Sequence, residues 1–295
     1  MNRKFSPALL LALALMLSCT REPIYEGVSQ YRFEFSFPDS VLWCRPERPE
    51  LIQVLFYDPA TGKRVSETYM TPDGGYLYAI EPGRWNIVAF TMGSTRTMVD
   101  YARDFSLLSA HTSLIQSAPM RIVDSPDHIF VATLQDVDIP QLSEADEPFV
   151  LDIPLKALCD SWRVEVSGIE GLEYASAITL LAFNQAGEVR LCDMDRGDWC
   201  AIKASGTVQD SLAVIPFCTF GMPPDGNVVI RVLIEAEDGQ KHSNDFDITP
   251  QVRSPLKRDH IISVDFRTEL MPLVQGGLDP RSDEWEGHNE FLEIE

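Results

Sequence analysis

The chain reads as all-β, with two tandem β-sandwich domains behind a cleaved leader. Three observations predict this. Short segments alternate strictly between apolar and polar residues: Tyr31, Phe33, Phe35 and Phe37 are separated by Arg32, Glu34 and Ser36. Turn residues punctuate such segments repeatedly, and almost no helical period interrupts them. The composition, 45% hydrophobic and 23% charged over 295 residues, allows a substantial core. Once the leader is gone, the length suits one large or two ordinary domains.

The leader comes first. Asn2-Arg3-Lys4 precedes the apolar run Ala8 to Leu17, which ends at Ser18-Cys19. A short positive head and a short apolar body form a secretory signal. The run is too short to span a bilayer, which needs about 20 apolar residues. A small residue before Cys, with Leu15 four positions upstream of it, resembles the lipobox of bacterial lipoproteins. Met16 and Leu17 are larger than the residues favoured there. The expected processing cuts between Ser18 and Cys19 and attaches acyl chains, palmitate among them, to Cys19. Burial contributes about 0.8 kcal/mol per CH₂, and two chains suffice for stable anchoring. The alternative is an ordinary cleaved signal followed by an incidental cysteine.

Residues 19–28 form a tether, and the first sandwich is expected over 29–137. Its opening strand is the aromatic alternation from Tyr31. Leu51 to Tyr57 is apolar on both faces, as a central strand is, and Asp58-Pro59-Ala60-Thr61-Gly62 turns the chain. Gly75 to Ile80 is a further strand. Glu81-Pro82-Gly83 makes a tight turn into Arg84 to Phe90, with proline presetting φ and glycine taking the positive φ of a type II turn. This phrase resembles a hairpin of transthyretin-like and related sandwiches. The expected sandwich class is therefore transthyretin-like or immunoglobulin-like. Thr91 to Ser125 is less regular, with Tyr101 to Leu108 open between strand and helical turn. Ile129 to Thr133 reads as a closing edge strand.

The acidic segment 138–147 carries no apolar period and is the expected linker. The second sandwich spans 148–270. Pro154 suggests that Phe149 to Leu158 is an edge or bulged strand. Trp162, Val164 and Val166 alternate with Arg163, Glu165 and Ser167. Leu172 to Ala177 suggests a short helix. Strands follow at Ile178 to Asn184, Leu212 to Phe217, Val228 to Ala236 and His260 to Arg267. Asp238-Gly239 signals a hairpin, and Thr249-Pro250 a helix start. Residues 271–295 form an acidic tail containing Trp285, Phe291, Leu292 and Ile294, either a last strand or a mobile extension.

The formal net charge is -21. Arg3 and Lys4 leave with the leader, making the mature chain two charges more negative. Such a chain repels phosphate, so nucleic acid is not an expected partner. An anionic membrane surface would not attract it either, which leaves the lipid as the anchor.

Six cysteines are present. With Cys19 committed to lipid, Cys44, Cys159, Cys192, Cys200 and Cys218 remain. That odd number forms no complete disulfide framework. Cys159 and Cys218 sit in apolar runs, where a free thiol behaves as a small hydrophobe. Cys192 and Cys200 flank one short loop and are the pair best placed for a bridge. No C-x-x-C occurs, so zinc has little support and no metal or other cofactor is expected.

The chemistry-bearing residues do not form a catalytic set. His111, His128, His242, His260 and His288 are scattered, and neither a nucleophile elbow nor a phosphate-cradling glycine loop is present. No catalytic residue is assigned, and the expectation is a non-enzyme. Asp193, Asp195 and Asp198 surround Gly197 as an EF-hand loop would begin, but Ala204 stands where the closing glutamate belongs. Arg196-Gly197-Asp198 is an integrin-type tripeptide of low information, better read as a solvated hairpin loop. Trp43 and Trp199 lie in loop-like contexts and are candidates for a glycan-stacking platform. Trp85 and Trp162 lie on strands and read as core.

A set of short motifs recurs in order along nearly the whole chain: Cys19 with Arg21 and Tyr25, Val54-Leu55-Phe56-Tyr57, Pro82-Gly83-Arg84-Trp85, Phe217-Cys218-Thr219-Phe220-Gly221, Phe246-Asp247-Ile248-Thr249, Gly276-Gly277-Leu278-Asp279 and Asp283-Glu284-Trp285. Together they resemble the Bacteroidales lipoprotein family with a domain of unknown function, DUF 5119. That family is similar in turn to fimbrillin-like and fimbrial-anchor lipoproteins. The resemblance implies two sandwiches on an acylated N-terminus, held at the outer membrane and exposed at the cell surface. It implies a role in fimbrial anchoring, assembly or adhesion. Fimbrial subunits are the implied partners, joined by addition of a strand to an open sheet. No obvious processing Arg or Lys stands between tether and first domain, which favours an anchor over a shaft subunit. The alternative is a glycan-binding accessory lipoprotein of a polysaccharide-uptake system.

Overall fold

A computed structural model of the chain describes residues 30–38, 49–77, 80–143, 146–254 and 260–272. The chain is all-β, as its alternating pattern predicts. In order the strands are β1 (Tyr31–Ser36), β2 (Ile52–Tyr57), β3 (Arg64–Met70), β4 (Gly75–Leu77), β5 (Gly83–Thr91), β6 (Thr97–Asp100), β7 (Ser109–Thr112), β8 (Leu114–Gln116), β9 (Ile122–Asp124) and β10 (Phe130–Ile139). They continue as β11 (Phe149–Pro154), β12 (Lys156–Ala157), β13 (Asp160–Glu170), β14 (Ala175–Arg190), β15 (Arg196–Ser205), β16 (Thr207–Gln209), β17 (Leu212–Thr219), β18 (Val229–Ala236), β19 (Lys241–Asp247) and β20 (Ile261–Glu269). A 3-10 turn at Leu172–Tyr174 and a one-turn helix α1 (Thr249–Val252) are the helical elements of the described residues.

Two lobes result. In the first, a sheet of order β11-β1-β4 faces a sheet of order β12-β10-β5-β2-β3. Phe33, Val54, Phe56, Ile87 and Ile153 fill the space between them. In the second, a sheet of order β16-β17-β13-β20 faces a larger one of order β19-β18-β14-β15-β9-β8, with β7 also pairing to β14 and β6 to β7. Trp162, Val164, Leu180, Ile202, Ile215 and Ile230 form its core.

The strands are not divided between the lobes in chain order. β11 and β12, which follow segment 138–147, pair with β1 and β10 in the first lobe. β6 to β9, which precede that segment, join the larger sheet of the second lobe through β7 on β14 and β9 on β15. Among the described residues the chain therefore crosses between lobes three times, at residues 92–96, 125–129 and 158–159.

Those crossings are laced together at Asp127. Its Oδ2 accepts from the backbone amides of Thr95 and Arg96, both at 2.8 Å, and from the hydroxyls of Ser94 and Thr95. Its Oδ1 accepts from Arg96 Nε at 2.8 Å. Its backbone carbonyl accepts from the Thr97 hydroxyl, and the Cys159 thiol lies 3.6 Å from the same oxygen. Burial works against the charge, but the two amides, with Arg96 and the Thr95 hydroxyl, outweigh it and lower the Asp127 pKa to about 2.

A third buried cluster joins the lobes. Leu55, Tyr57, Val88 and Phe90 project from the far face of the first lobe's larger sheet and pack with Leu108, Ala110, Val189, Leu191, Cys218 and Phe220. Alternation explains it: along β2, Val54 and Phe56 face the first core while Leu55 and Tyr57 face the shared one. Tyr57 is fully buried and donates its hydroxyl to the Ala102 carbonyl at 3.0 Å. Burial pushes its pKa well above the usual phenol value.

Several local expectations are corrected. Glu81-Pro82-Gly83 does not close a hairpin: β4 pairs with β1, while both edges of β5 are taken by β2 and β10, so the turn carries the chain between facing sheets. The edge strand expected at Ile129 to Thr133 is instead the ten-residue β10, flanked by β5 and β12, with a bulge where Asp136 turns to φ 53°. The irregular stretch Thr91 to Ser125 contains four short strands, and Tyr101 to Leu108 is a series of turns between two of them. Pro154 ends an edge strand, as its missing N–H requires. Asp238-Gly239 closes the β18–β19 hairpin with Gly239 at φ 85°.

Candidate functional site

A polar cleft lies on the larger sheet of the second lobe, on the side away from the shared core. Two neighbouring strands create it by alternation. Leu108, Ala110, Val189 and Leu191 pack into the shared core. Ser109 and His111 on β7, with Glu188 and Arg190 on β14, alternate with them and belong to the opposite face. The cleft has a volume of about 300 Å³ and is lined by Tyr101, Ser109, Glu188, Arg190, Asp195 and Gly197, among others. That is the lower end of the range for small-molecule pockets.

Ion pairs fix its walls. Arg190 donates from Nε to Asp193 Oδ1 at 2.9 Å and from Nη2 to Asp193 Oδ2 at 2.6 Å and Asp195 Oδ2 at 3.1 Å. These hydrogen bonds, with the Asp195 backbone amide, hold the Asp193 carboxyl near a pKa of about 2, and they raise Arg190 above its ordinary value. His111 Nε2 lies 2.7 Å from Asp100 Oδ2. Tyr101 adopts φ 60°, a left-handed conformation that few non-glycine residues take, and is 65% exposed. The Ser109 side chain is only 2% exposed, and its hydroxyl has no hydrogen-bond partner among the described residues. An unpaired buried hydroxyl is destabilising.

The sequence-derived candidates are distributed unevenly. Ser18, Cys19, Trp43 and Cys44 lie outside the described residues, as does the tail beyond residue 272. Trp199 is not in a loop: it sits on β15, paired opposite Ala186, and is 46% exposed. Asp198, at φ 58°, breaks the alternation between Gly197 and Trp199, and the paired Ala186 packs into the shared core, so Trp199 does not line the cleft. Trp162 is buried and stacks on His260 with ring centroids 4.6 Å apart, while Trp85 is partly buried against Phe56. Cys192 and Cys200, the pair best placed for a bridge, are both free. Cys200 points toward the Gln185 carbonyl and Cys192 toward that of Ser106. Burial, then Asp193, pushes the Cys192 thiol up.

The aspartates of the 193–198 loop do not converge. Asp193 and Asp195 hold Arg190, whereas Asp198 pairs with Arg121. Among the described residues no group of three or more His, Cys, Asp or Glu is placed to hold a metal. Arg196-Gly197-Asp198 begins strand β15 rather than forming a solvated loop, because its backbone pairs with β14. Tyr101, Ser109, Glu188 and Arg190 escaped the sequence reading. The alternation of Glu188 and Arg190 with Val189 and Leu191 is the signal that marks their strand.

The fold defines the class: an all-β protein of two joined sandwiches. Its likeness to solved structures is extensive. A provisionally assigned adhesin from Bacteroides ovatus is 18% identical, with 90% of this chain and 98% of that one covered at a TM-score of 0.59. A second such adhesin from Bacteroides ovatus is 9% identical, with coverage of 80% and 86% and a TM-score of 0.56. A protein from Bacteroides thetaiotaomicron, provisionally described as polysaccharide-binding and of the DUF1812 class, is 10% identical, with coverage of 80% and 90% and a TM-score of 0.52. At these identities the likeness is one of fold. No family model matches the chain. No curated protein matches it either. Among the described residues no helix is long and apolar enough to cross a membrane.

Proposed function

We propose that the chain is a non-enzymatic cell-surface lipoprotein, anchored to the outer membrane through acylated Cys19 and acting in adhesion or in fimbrial anchoring and assembly. The observation that carries this reading is the joined two-sandwich fold, shared along nearly the full length of the Bacteroides ovatus adhesin-like chain. The Ser18-Cys19 junction supports the anchor, and the ordered motifs support membership of the DUF 5119 family. A buried core between the lobes supports a load-bearing role, because large apolar interfaces suppress the relative motion usual between domains. Cross-linking on intact cells, followed by capture of this chain, is expected to recover a fimbrial subunit. Repeated capture of the chain alone would remove the fimbrial part of the reading.

The cleft favours a second reading, a glycan-binding accessory lipoprotein of a polysaccharide-uptake system. Its polar walls and the exposed Tyr101 suit a hydroxylated ligand, and Trp199 offers a further exposed aromatic ring outside the cleft. The identity of neighbouring coding regions separates the two: fimbrial subunits favour the first, uptake porins the second.

A further inference from the structure

We infer that the cleft between β7, β14 and the 191–195 turn binds one neutral pyranose unit of a glycan. The inference deepens the surface-binding reading above by assigning its ligand class and the residues that recognise it.

The chemistry of the walls selects the ligand. Glu188 and Asp195 present carboxylate acceptors, Arg190 presents guanidinium donors, and the buried Ser109 hydroxyl can do both. Such a mixture matches a ring of hydroxyls, each of which donates and accepts. It does not match an anion. Arg190 is already engaged by Asp193 and Asp195, and Glu188 adds a further negative charge. The chain as a whole carries a formal charge of -21, so uronic and sialic acids are repelled. An apolar ligand would leave the carboxylates and Ser109 desolvated without partners. The apolar face of a pyranose ring needs a flat surface, and Tyr101, in the cleft wall, supplies an exposed aromatic ring. The volume of about 300 Å³ limits the site to a unit rather than a long chain segment.

The test uses the full chain and saturation-transfer NMR with the methyl pyranosides of glucose, galactose, mannose and N-acetylglucosamine. The methyl glucuronide serves as the anionic counterpart. At least one neutral pyranoside is expected to bind, with the glucuronide at least about tenfold weaker. Glu188→Gln, which is nearly isosteric, is expected to weaken binding about tenfold, the effect of losing one charge-assisted hydrogen bond. Tyr101→Ala is expected to weaken it several-fold, with thermal midpoints measured alongside to confirm folding. The assignment is overturned if no neutral pyranoside binds, if binding survives both substitutions, or if the glucuronide binds equally well. Adherence of cells displaying the E188Q chain separates the levels. Adherence that persists where the wild-type chain binds no pyranoside overturns the cleft assignment and leaves surface adhesion standing.

Discussion

Leu55→Ala tests whether the shared core makes the two lobes one cooperative unit. Leu55 is fully buried, and its side chain belongs to the cluster between lobes rather than to the core of its own sandwich. Truncating a buried leucine removes transfer free energy and leaves a cavity, together about 3 kcal/mol. For a chain of this size, roughly 2–4 °C of midpoint is lost per kcal/mol. Calorimetry should therefore show one transition for the wild type and one for the variant, lowered by roughly 6–12 °C. Hydrogen exchange should accelerate in β14 and β17 of the second lobe as well as in β2 and β5. Two separate transitions, with only the first lobe's moved, would refute the reasoning. They would mean that the cluster is a contact surface and not a core.

Other perturbations probe the same architecture. Asp127→Asn should destabilise the chain by about 1–2 kcal/mol at pH 7, a range reduced for the partial exposure of the carboxylate. Because Asp127 is depressed from about 3.8 to about 2, its contribution is present above pH 4 and lost as the pH falls through 2. Wild type and variant should therefore converge in acid denaturation profiles below pH 2. Tyr57→Phe strips the Ala102 carbonyl of its buried donor and should cost about 1–2 kcal/mol in urea titration. Gly74→Ala places a Cβ against the Phe33 carbonyl at a residue with φ 82°. It should destabilise by about 2–4 kcal/mol, read as a lower urea midpoint with weakened β1–β4 protection.

Much of the fold is legible in the sequence because burial is written as alternation. The β1 aromatics, the Trp162-Val164-Val166 row and the Asp238-Gly239 turn all carry their structural meaning locally. β2 carries more: apolar on both faces, it announces a sheet covered on both sides, and the second cover proves to be the other lobe. What is not legible is partner choice. Nothing local in Phe149 to Pro154 says that this strand lies parallel to β1, more than a hundred residues earlier. The three- and four-residue strands between Thr97 and Asp124 are too short to show a period. The cleft stays hidden for the same reason. Ser109, Glu188 and Arg190 become neighbours only when β7 pairs with β14. Residue type makes Trp199 a candidate, but its position on a strand, opposite Ala186, comes from the β14–β15 register.

The reading as an anchored surface protein rests on the thiol at position 19, and metabolic labelling with palmitate tests it most directly. Cells expressing the wild-type chain should yield a labelled protein beginning at Cys19, removable from intact cells by added protease. Cys19→Ser should abolish the label and release the chain from the membrane fraction. An unlabelled wild-type chain that keeps residues 1–18 and resists protease on intact cells would contradict the account.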